Sequence, residues 1–191
     1  MPDTVDIRLP ATCAELSSLR VGDEVRLSGP VYTARDAGHE RLLAALERDG
    51  ELPYGLAGQA LFYAGPTPAA AGHPVGAVGP TTAKRMDAAT PALLRAGIVA
   101  TIGKGGRSEE VRDACAETGS VYFAAVGGAA ALLARHVVSV EPVAWDDLGT
   151  EALVRMTLDD FPAFVAINAE GDDLYTSAPA DWRAQRKESG R

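Results

Sequence analysis

Three short apolar segments, each followed by a loop rich in glycine or proline, most constrain the fold of this chain. Residues 60–64, 98–102 and 120–126 are almost wholly apolar and have the length of buried strands. Between and around them, 36–48 and 109–118 carry apolar residues at helical spacing. Strands that alternate with helices are typical of an α/β domain, and we predict that class.

The rest of the chain continues this pattern. Its length of 191 residues and its 47% content of hydrophobic residues suffice for one domain with a substantial core. We expect a single domain over residues 1–178 and a polar, frayed tail over residues 179–191. Further elements are predicted as strands at 4–9, 25–32, 137–143, 152–158 and 164–167, and as a short helix at 129–135.

Composition excludes several classes of protein. The net charge of −8 and the pI of about 4.9 argue against a nucleic-acid binder, which needs a basic face to neutralise phosphates. No apolar run approaches the roughly 20 residues that cross a bilayer. The amino terminus lacks the basic and apolar regions of a signal peptide, so we expect a cytoplasmic protein.

The cysteine content excludes an iron–sulfur cluster held by this chain alone. Cys13 and Cys115 are far apart in sequence and have neither CxxC spacing nor a neighbouring histidine. A cubane cluster needs three or four thiolates, so we predict no metal site within the chain. Cys115 lies in a helical pattern and is expected to be a small core residue.

The segment Gly79–Asp87, with the sequence GPTTAKRMD, has the residue types that hold a small carboxylate. Pro80 is a favourable first residue of a helix, and Thr81 and Arg85 would then lie one turn apart on a single face. A helix amino terminus attracts anions through its unpaired N–H groups. The guanidinium of Arg85 matches a carboxylate through two hydrogen bonds.

A second arginine occupies a similar position earlier in the chain. Thr33 and Asp36 have the spacing of a capping box, which would place Arg35 in the first turn of the helix predicted over 36–48. Arg35 would then lie at the mouth of a helix, as Arg85 does.

Several segments together resemble the β subunit, or C-terminal domain, of the class I iron–sulfur hydro-lyases, namely fumarate hydratase and L(+)-tartrate dehydratase. The resemblance covers roughly residues 20–175 and implies a swivelling β/β/α three-layer domain. In the family's order, the matching segments are LSG with TARDAGH at 27–39, FYAGP at 62–66, GPTTAKRMD at 79–87, IGKG with YFAAVGG at 102–128, and DDFPAF at 159–164.

The resemblance also implies roles for individual residues. It assigns Arg35, Arg85 and Lys104 as substrate-binding cations, and Thr81 as the catalytic base or its immediate partner in proton transfer. Thr82 is a further substrate-binding candidate. The alternatives are solvent exposure for the cations and helix capping for the two threonines.

Three more residues are candidates for supporting roles. Asp36 and Asp87 closely follow Arg35 and Arg85, and an aspartate at such a position can orient a guanidinium; capping or exposure is the alternative. His39 lies one turn after Arg35 and could line the same mouth, although a lone histidine is more often a helix-surface or interface residue. Lys84 has no counterpart in the family pattern.

We therefore expect the β subunit of a 4Fe–4S-dependent hydro-lyase that interconverts malate and fumarate. The resemblance implies that a partner α subunit holds the cluster. One alternative is L(+)-tartrate dehydratase, which converts tartrate to oxaloacetate; another is a non-catalytic binding module with the same fold. Self-association into a homodimer is a further expectation when the partner is absent.

Overall fold

The computed structural model describes residues 4–188, which form a seven-stranded sheet and six α-helices. The strands are β1 (Val5–Arg8), β2 (Glu24–Thr33), β3 (Ala60–Phe62), β4 (Ala100–Gly103), β5 (Val121–Ala124), β6 (Val137–Ala144) and β7 (Leu153–Ile167). The helices are α1 (Cys13–Leu16), α2 (Asp36–Asp49), α3 (Thr90–Arg95), α4 (Glu109–Thr118), α5 (Ala130–Leu133) and α6 (Leu174–Glu188). Short 3₁₀ helices span Pro53–Gly55, Ala83–Met86, Ala134–His136 and Asp146–Glu151.

Five of the strands close into a ring. Strands β2, β3, β4 and β5 are parallel neighbours, and β7 runs antiparallel to both β5 and β2, which joins the two ends. Strands β1 and β6 extend the sheet outside this ring, on β2 and β7 respectively. The α/β class is confirmed, and its architecture is a closed, barrel-like sheet with helices packed against it.

Alternation of side chains along the strands divides the core into two clusters. Phe62 and Phe123 belong to one cluster, while their neighbours Tyr63 and Tyr122 belong to the other. Successive residues of a strand point to opposite faces of the sheet. Because each face is covered by one of the two clusters, nearly every residue of these short strands is buried. The second cluster is covered by helices, with buried contributions from Leu42 of α2, Leu93 of α3 and Val111 of α4.

The strands predicted at 152–158 and 164–167 are wrong in one respect, because they form a single strand of 15 residues, β7. Its first part, 153–158, pairs with β6 and its last part, 164–167, pairs with β5, while β2 pairs with β7 on both sides of Asp160. Asp160, at φ 53°, lies between the two parts, and its N–H donates to Ser28 Oγ at 3.0 Å. One strand can therefore close the ring on two different neighbours.

The boundary expected at residue 178 falls within a helix. Helix α6 runs through Pro179 to Glu188, and Asp173 tethers its start by accepting hydrogen bonds from Tyr175 N at 2.9 Å and Thr176 Oγ1 at 3.0 Å. Residues 179–188 are therefore helical, while 189–191 lie outside the described residues. Among residues 4–188, no helix is long and apolar enough to cross a bilayer.

Candidate active site

The candidate residues follow the ends of neighbouring parallel strands. Arg35 comes two residues after β2 and Lys104 directly after β4, while Thr81 is bonded to Tyr63, which directly follows β3. Because the carboxyl ends of parallel strands meet at one edge of a sheet, these residues share that edge, where α/β proteins commonly bind ligands. Gly127, which follows β5, lies at the same edge. A Cβ added to it would be 3.1 Å from Lys104 Cδ.

The segment around Thr81 is extended, so the predicted helical face that joins Thr81 to Arg85 is wrong. Tyr63 O accepts a hydrogen bond from Thr81 N at 2.7 Å, and Lys104 N donates to Thr81 O at 3.1 Å. Thr82 pairs with Lys104 as an isolated parallel bridge. These bonds hold the segment between the ends of β3 and β4, so a helix cannot begin until Ala83.

Neither threonine side chain caps a helix, so the capping alternative is wrong for both. The Thr81 hydroxyl donates to Tyr63 O at 2.8 Å and is partly buried. Thr82 is exposed and is the N-cap residue of the 3₁₀ helix, without a side-chain capping bond. Among residues 4–188, no carboxylate, imidazole or amine is hydrogen-bonded to Thr81 Oγ1.

Arg85 is held by Asp36, the first residue of α2. Arg85 Nε donates to Asp36 Oδ1 at 2.9 Å, and a second bond from Nη2 to Oδ2 completes a two-pronged contact. The prediction that Asp36 follows and orients Arg35 is therefore corrected, because its partner is Arg85. The Arg85 side chain remains 49% exposed, and a guanidinium has five N–H donors, so donors remain for a ligand.

Arg35 is the N-cap residue of α2, and the predicted capping box is wrong. Thr33 is fully buried at the end of β2, where its hydroxyl lies 3.5 Å from Ala152 O. The cap comes instead from Glu151, whose Oε2 accepts a hydrogen bond from Ala37 N at 2.9 Å. Sequence analysis missed Glu151 because the contact spans 114 residues and leaves no local pattern.

Asp87 does not orient Arg85 but binds Arg107, which sequence analysis also missed. Arg107 Nε donates to Asp87 Oδ1 at 2.6 Å, and Ser108 N donates to Asp87 Oδ2 at 2.7 Å. Asp87 therefore fastens the 3₁₀ helix that carries Arg85 to the start of α4.

Arg107 is a buried cation at the centre of the helix-covered face. Its side chain is 0% exposed, and its Cζ lies 5.2 Å from the Tyr63 ring centroid and 4.8 Å from that of Tyr122. Burial works against its charge, but the two tyrosines and Asp87 hold the pKa of the guanidinium above its ordinary value. Arg107 thus supports Tyr63, whose backbone carbonyl holds Thr81.

His39 is buried and does not line the mouth of the site, so the surface or interface expectation is corrected. Its Nδ1–H donates to Arg35 O at 2.8 Å, and its ring meets that of Tyr63 edge-on at 5.1 Å. Burial lowers the pKa of His39 to about 4. The neutral imidazole packs beneath the backbone that carries Arg35 and Tyr63.

This burial makes a prediction about pH. The unfolded chain, with an ordinary histidine pKa of about 6.5, takes up a proton before the folded chain does. We expect the free energy of unfolding to fall by up to about 3 kcal/mol as the pH drops from about 6.5 to 4. His39→Asn, whose amide can still donate to Arg35 O, should show a flatter profile in urea unfolding over this range. Parallel profiles for the two proteins would contradict the assignment.

A nearby cavity does not suit an anion. It has a volume of about 540 Å³, and its three carboxylates outnumber its one arginine. An anionic ligand is better accommodated at the open edge, beside Arg85. The cavity is lined by Asp87, Ala88, Pro91, Arg95, Ser108, Glu110 and Asp113.

The cysteines do not fit an iron–sulfur cluster. Cys13 packs against the core cluster that contains Phe62, and Cys115 belongs to the one that contains Tyr63, so the two thiols are not paired in one core. Burial raises the pKa of the Cys115 thiol to about 12, which disfavours the thiolate that a metal requires. No group of three or more histidine, cysteine or acidic side chains is placed to hold a metal ion within residues 4–188.

Comparison with known proteins gives consistent matches. The family model described as "Fumarase C-terminus" matches residues 2–178. The chain is 37% identical over 175 residues to "Fumarate hydratase class I, anaerobic" of Escherichia coli K12, covering 90% of this chain and 32% of the relative. It is 35% identical over 180 residues to "Fumarate hydratase 2" of Leishmania major, covering 92% of this chain and 32% of that protein.

A shorter relative is matched over most of its length. A Methanocaldococcus jannaschii protein, provisionally named L(+)-tartrate dehydratase subunit beta, is 35% identical over 170 residues, which are 86% of this chain and 87% of that protein. The chain therefore spans about a third of the fumarate hydratases and nearly all of this relative.

Proposed function

We propose that this chain, which belongs to the Fumarase C-terminus family, is the β subunit of a cytoplasmic hydro-lyase that interconverts malate and fumarate. One observation carries the proposal: three cations and a threonine from three segments lie at the carboxyl edge of β2, β3 and β4, where Asp36 at the start of α2 holds Arg85. A dicarboxylate needs cations for its two carboxylates, and this edge supplies Arg35, Arg85 and Lys104.

In this proposal the cations bind and orient the substrate. Arg85 binds one carboxylate through the donors that Asp36 leaves free, while Lys104 acts as a point charge beside Thr81. Arg35 contributes positive charge from the start of α2, and the exposed Thr82 hydroxyl offers a further hydrogen bond. Fixed cations on both carboxylates would hold the carbon skeleton in one orientation for reaction.

Thr81 is proposed to take part in transfer of the carbon-bound proton. A threonine hydroxyl is a poor base, and the carbonyl of Tyr63 accepts its hydrogen bond without being able to remove its proton. Positive charge close to this hydroxyl would favour an alkoxide electrostatically, and Lys104, whose backbone pairs with that of Thr81, is the candidate to supply it. We propose that the group that finally takes the proton comes from the partner subunit.

A cluster-bearing α subunit is the proposed partner, and it would hold the 4Fe–4S cluster that serves as Lewis acid for the substrate hydroxyl. Two cysteines are too few for such a cluster, so this chain would supply only the cationic half of the site. The proposal includes the swivelling β/β/α type of domain that the family resemblance implies.

L(+)-tartrate dehydratase is the second candidate. The match over 87% of the Methanocaldococcus jannaschii relative favours it, because that relative carries a tartrate dehydratase name. Tartrate presents the same two carboxylates as malate and has one more hydroxyl, so the cationic edge suits both. A non-catalytic module is less favoured, since the exposed Thr82 hydroxyl makes no capping bond and Arg85 keeps donors free beyond its pair with Asp36.

Arg85→Lys is expected to raise KM for the dicarboxylate about tenfold or more, because an ammonium cannot reproduce the two-pronged contacts of a guanidinium. Steady-state kinetics of the assembled enzyme would measure the effect. Arg95→Lys is a matched control, since Arg95 is 50% exposed and also pairs with a carboxylate, Glu117. Equal effects of the two substitutions would contradict the assignment of Arg85.

Anaerobic coexpression with the cluster-bearing protein tests the function itself. Fumarate formation from malate would be followed by ultraviolet absorbance, with tartrate conversion to oxaloacetate run in parallel. Fumarate formed only when both chains are present supports the proposal, and activity on tartrate alone supports the second candidate. Activity on neither substrate contradicts both and favours the non-catalytic module.

A further inference from the structure

The 3₁₀ segment Asp146–Glu151 is fastened along α2 at two points. At one point, Arg41 of α2 makes a two-pronged contact with Asp147, including Nη1 to Oδ1 at 2.9 Å. At the other, Glu151 Oε2 accepts the hydrogen bond from Ala37 N at the amino terminus of the same helix. The carboxylate of Glu151 is therefore fixed by contacts that do not involve Arg35.

The same segment encloses the guanidinium of Arg35. A Cβ on Gly65 would lie 2.8 Å from Arg35 Nη1 and 3.0 Å from Thr150 O, so only glycine leaves room for both. The other carboxylate oxygen, Glu151 Oε1, lies 3.4 Å from Arg35 Nη2. Among residues 4–188, Glu151 is the residue with which Arg35 forms an ion pair.

The guanidinium of Arg35 has fewer partners than that of Arg85. Arg35 Nε is buried and has no hydrogen-bond acceptor among the described residues, whereas the fork of Arg85 is closed by two bonds to Asp36. A long, flexible side chain with one distant partner depends on that partner for its position. Both side chains are about one-fifth exposed, at 22% for Arg35 and 23% for Glu151, so solvent screens the pair only partly.

From this arrangement we propose that Glu151 is a positioning residue for Arg35: it holds the guanidinium at the carboxyl edge of the sheet. Its effect on substrate binding would pass through Arg35, without contact between Glu151 and substrate. The consequence for catalysis rests on the proposed function, in which Arg35 binds the dicarboxylate.

The contact can be tested on the full chain without any assay of activity. In Glu151→Gln the amide oxygen can still accept from Ala37 N, but the charge that faces Arg35 is gone. We expect nitrogen-15 NMR to show restricted rotation of the Arg35 guanidinium in the wild type and free rotation in Glu151→Gln. Glu141→Gln is the control, because Glu141 pairs with a different arginine, Arg155, at 3.3 Å. Unchanged Arg35 signals in Glu151→Gln would overturn the proposal.

Kinetics of the assembled enzyme test the consequence. Glu151→Gln is expected to raise KM about threefold to tenfold with little change in kcat, and to have no further effect in an Arg35→Ala background. An unchanged or lowered KM, or the same increase without Arg35, would overturn the positioning role. A wild-type enzyme that turns over neither dicarboxylate would contradict the proposed function instead, and the NMR result would still decide whether Glu151 holds Arg35.

Discussion

Thr81→Ala is expected to lower kcat of the assembled enzyme by about 10²-fold to 10⁴-fold, the usual contribution of a positioned proton-transfer group. KM should change far less, because in the proposed function Arg85 and Lys104 bind the carboxylates and this hydroxyl does not. The substitution also removes the hydrogen bond to Tyr63 O, a loss of about 1 kcal/mol in stability. Single-turnover kinetics with malate would isolate the chemical step from product release.

Two matched variants make this result specific. Thr81→Ser keeps the hydroxyl and should recover most of the activity, while Thr82→Ala removes a neighbouring exposed hydroxyl and should mainly raise KM. If Thr81→Ala raised KM alone, the hydroxyl would position the substrate and take no part in proton transfer. Equal losses of kcat for Thr81→Ala and Thr82→Ala would also contradict the separate role given to Thr81.

Asp87→Ala is expected to reduce the free energy of unfolding by about 3–5 kcal/mol, because it leaves the buried charge of Arg107 without its carboxylate. Thr90 Oγ1, which accepts from Arg107 Nη2 at 2.8 Å, cannot replace a negative charge. The loss of the bond to Ser108 N should also loosen the start of α4. Urea unfolding monitored by circular dichroism would measure the change.

Asp113→Ala serves as the control, since Asp113 is an exposed aspartate of α4. Its effect should stay within about 0.5 kcal/mol, as for most surface substitutions. If the free energy of unfolding fell as little in Asp87→Ala as in Asp113→Ala, Asp87 would be an ordinary surface charge. That result would also remove the reason for placing Arg107 at the centre of the support beneath Tyr63.

Local pattern predicted the elements that carry the site. Helix α2 was expected over residues 36–48 and spans Asp36–Asp49, and the apolar segment at 98–102 contains most of β4. Arg35 was expected at the start of that helix and is its N-cap residue. These features follow from periodicity and from glycine positions, which are properties of neighbouring residues.

Contacts between distant segments account for what the sequence did not show. Thr81 is extended because carbonyl and amide groups of Tyr63 and Lys104 bind its backbone, and this pairing overrides the helix-start pattern of the motif. Arg107 resembles a surface arginine in sequence, since nothing nearby indicates its tyrosine neighbours. Glu151 caps α2 through a bond to Ala37, which lies 114 residues earlier in the chain. The family is confirmed by the matches, while the roles of individual residues stay predictions.

A crystal structure of the assembled enzyme with succinate, an unreactive dicarboxylate, is the most direct test of the central claim. That claim is that one edge of the sheet forms the cationic half of a dicarboxylate site. We expect one succinate carboxylate on the guanidinium of Arg85, with the ammonium of Lys104 and the hydroxyl of Thr81 facing the ligand. Succinate bound without contact to Arg35, Arg85 or Lys104 would contradict the account.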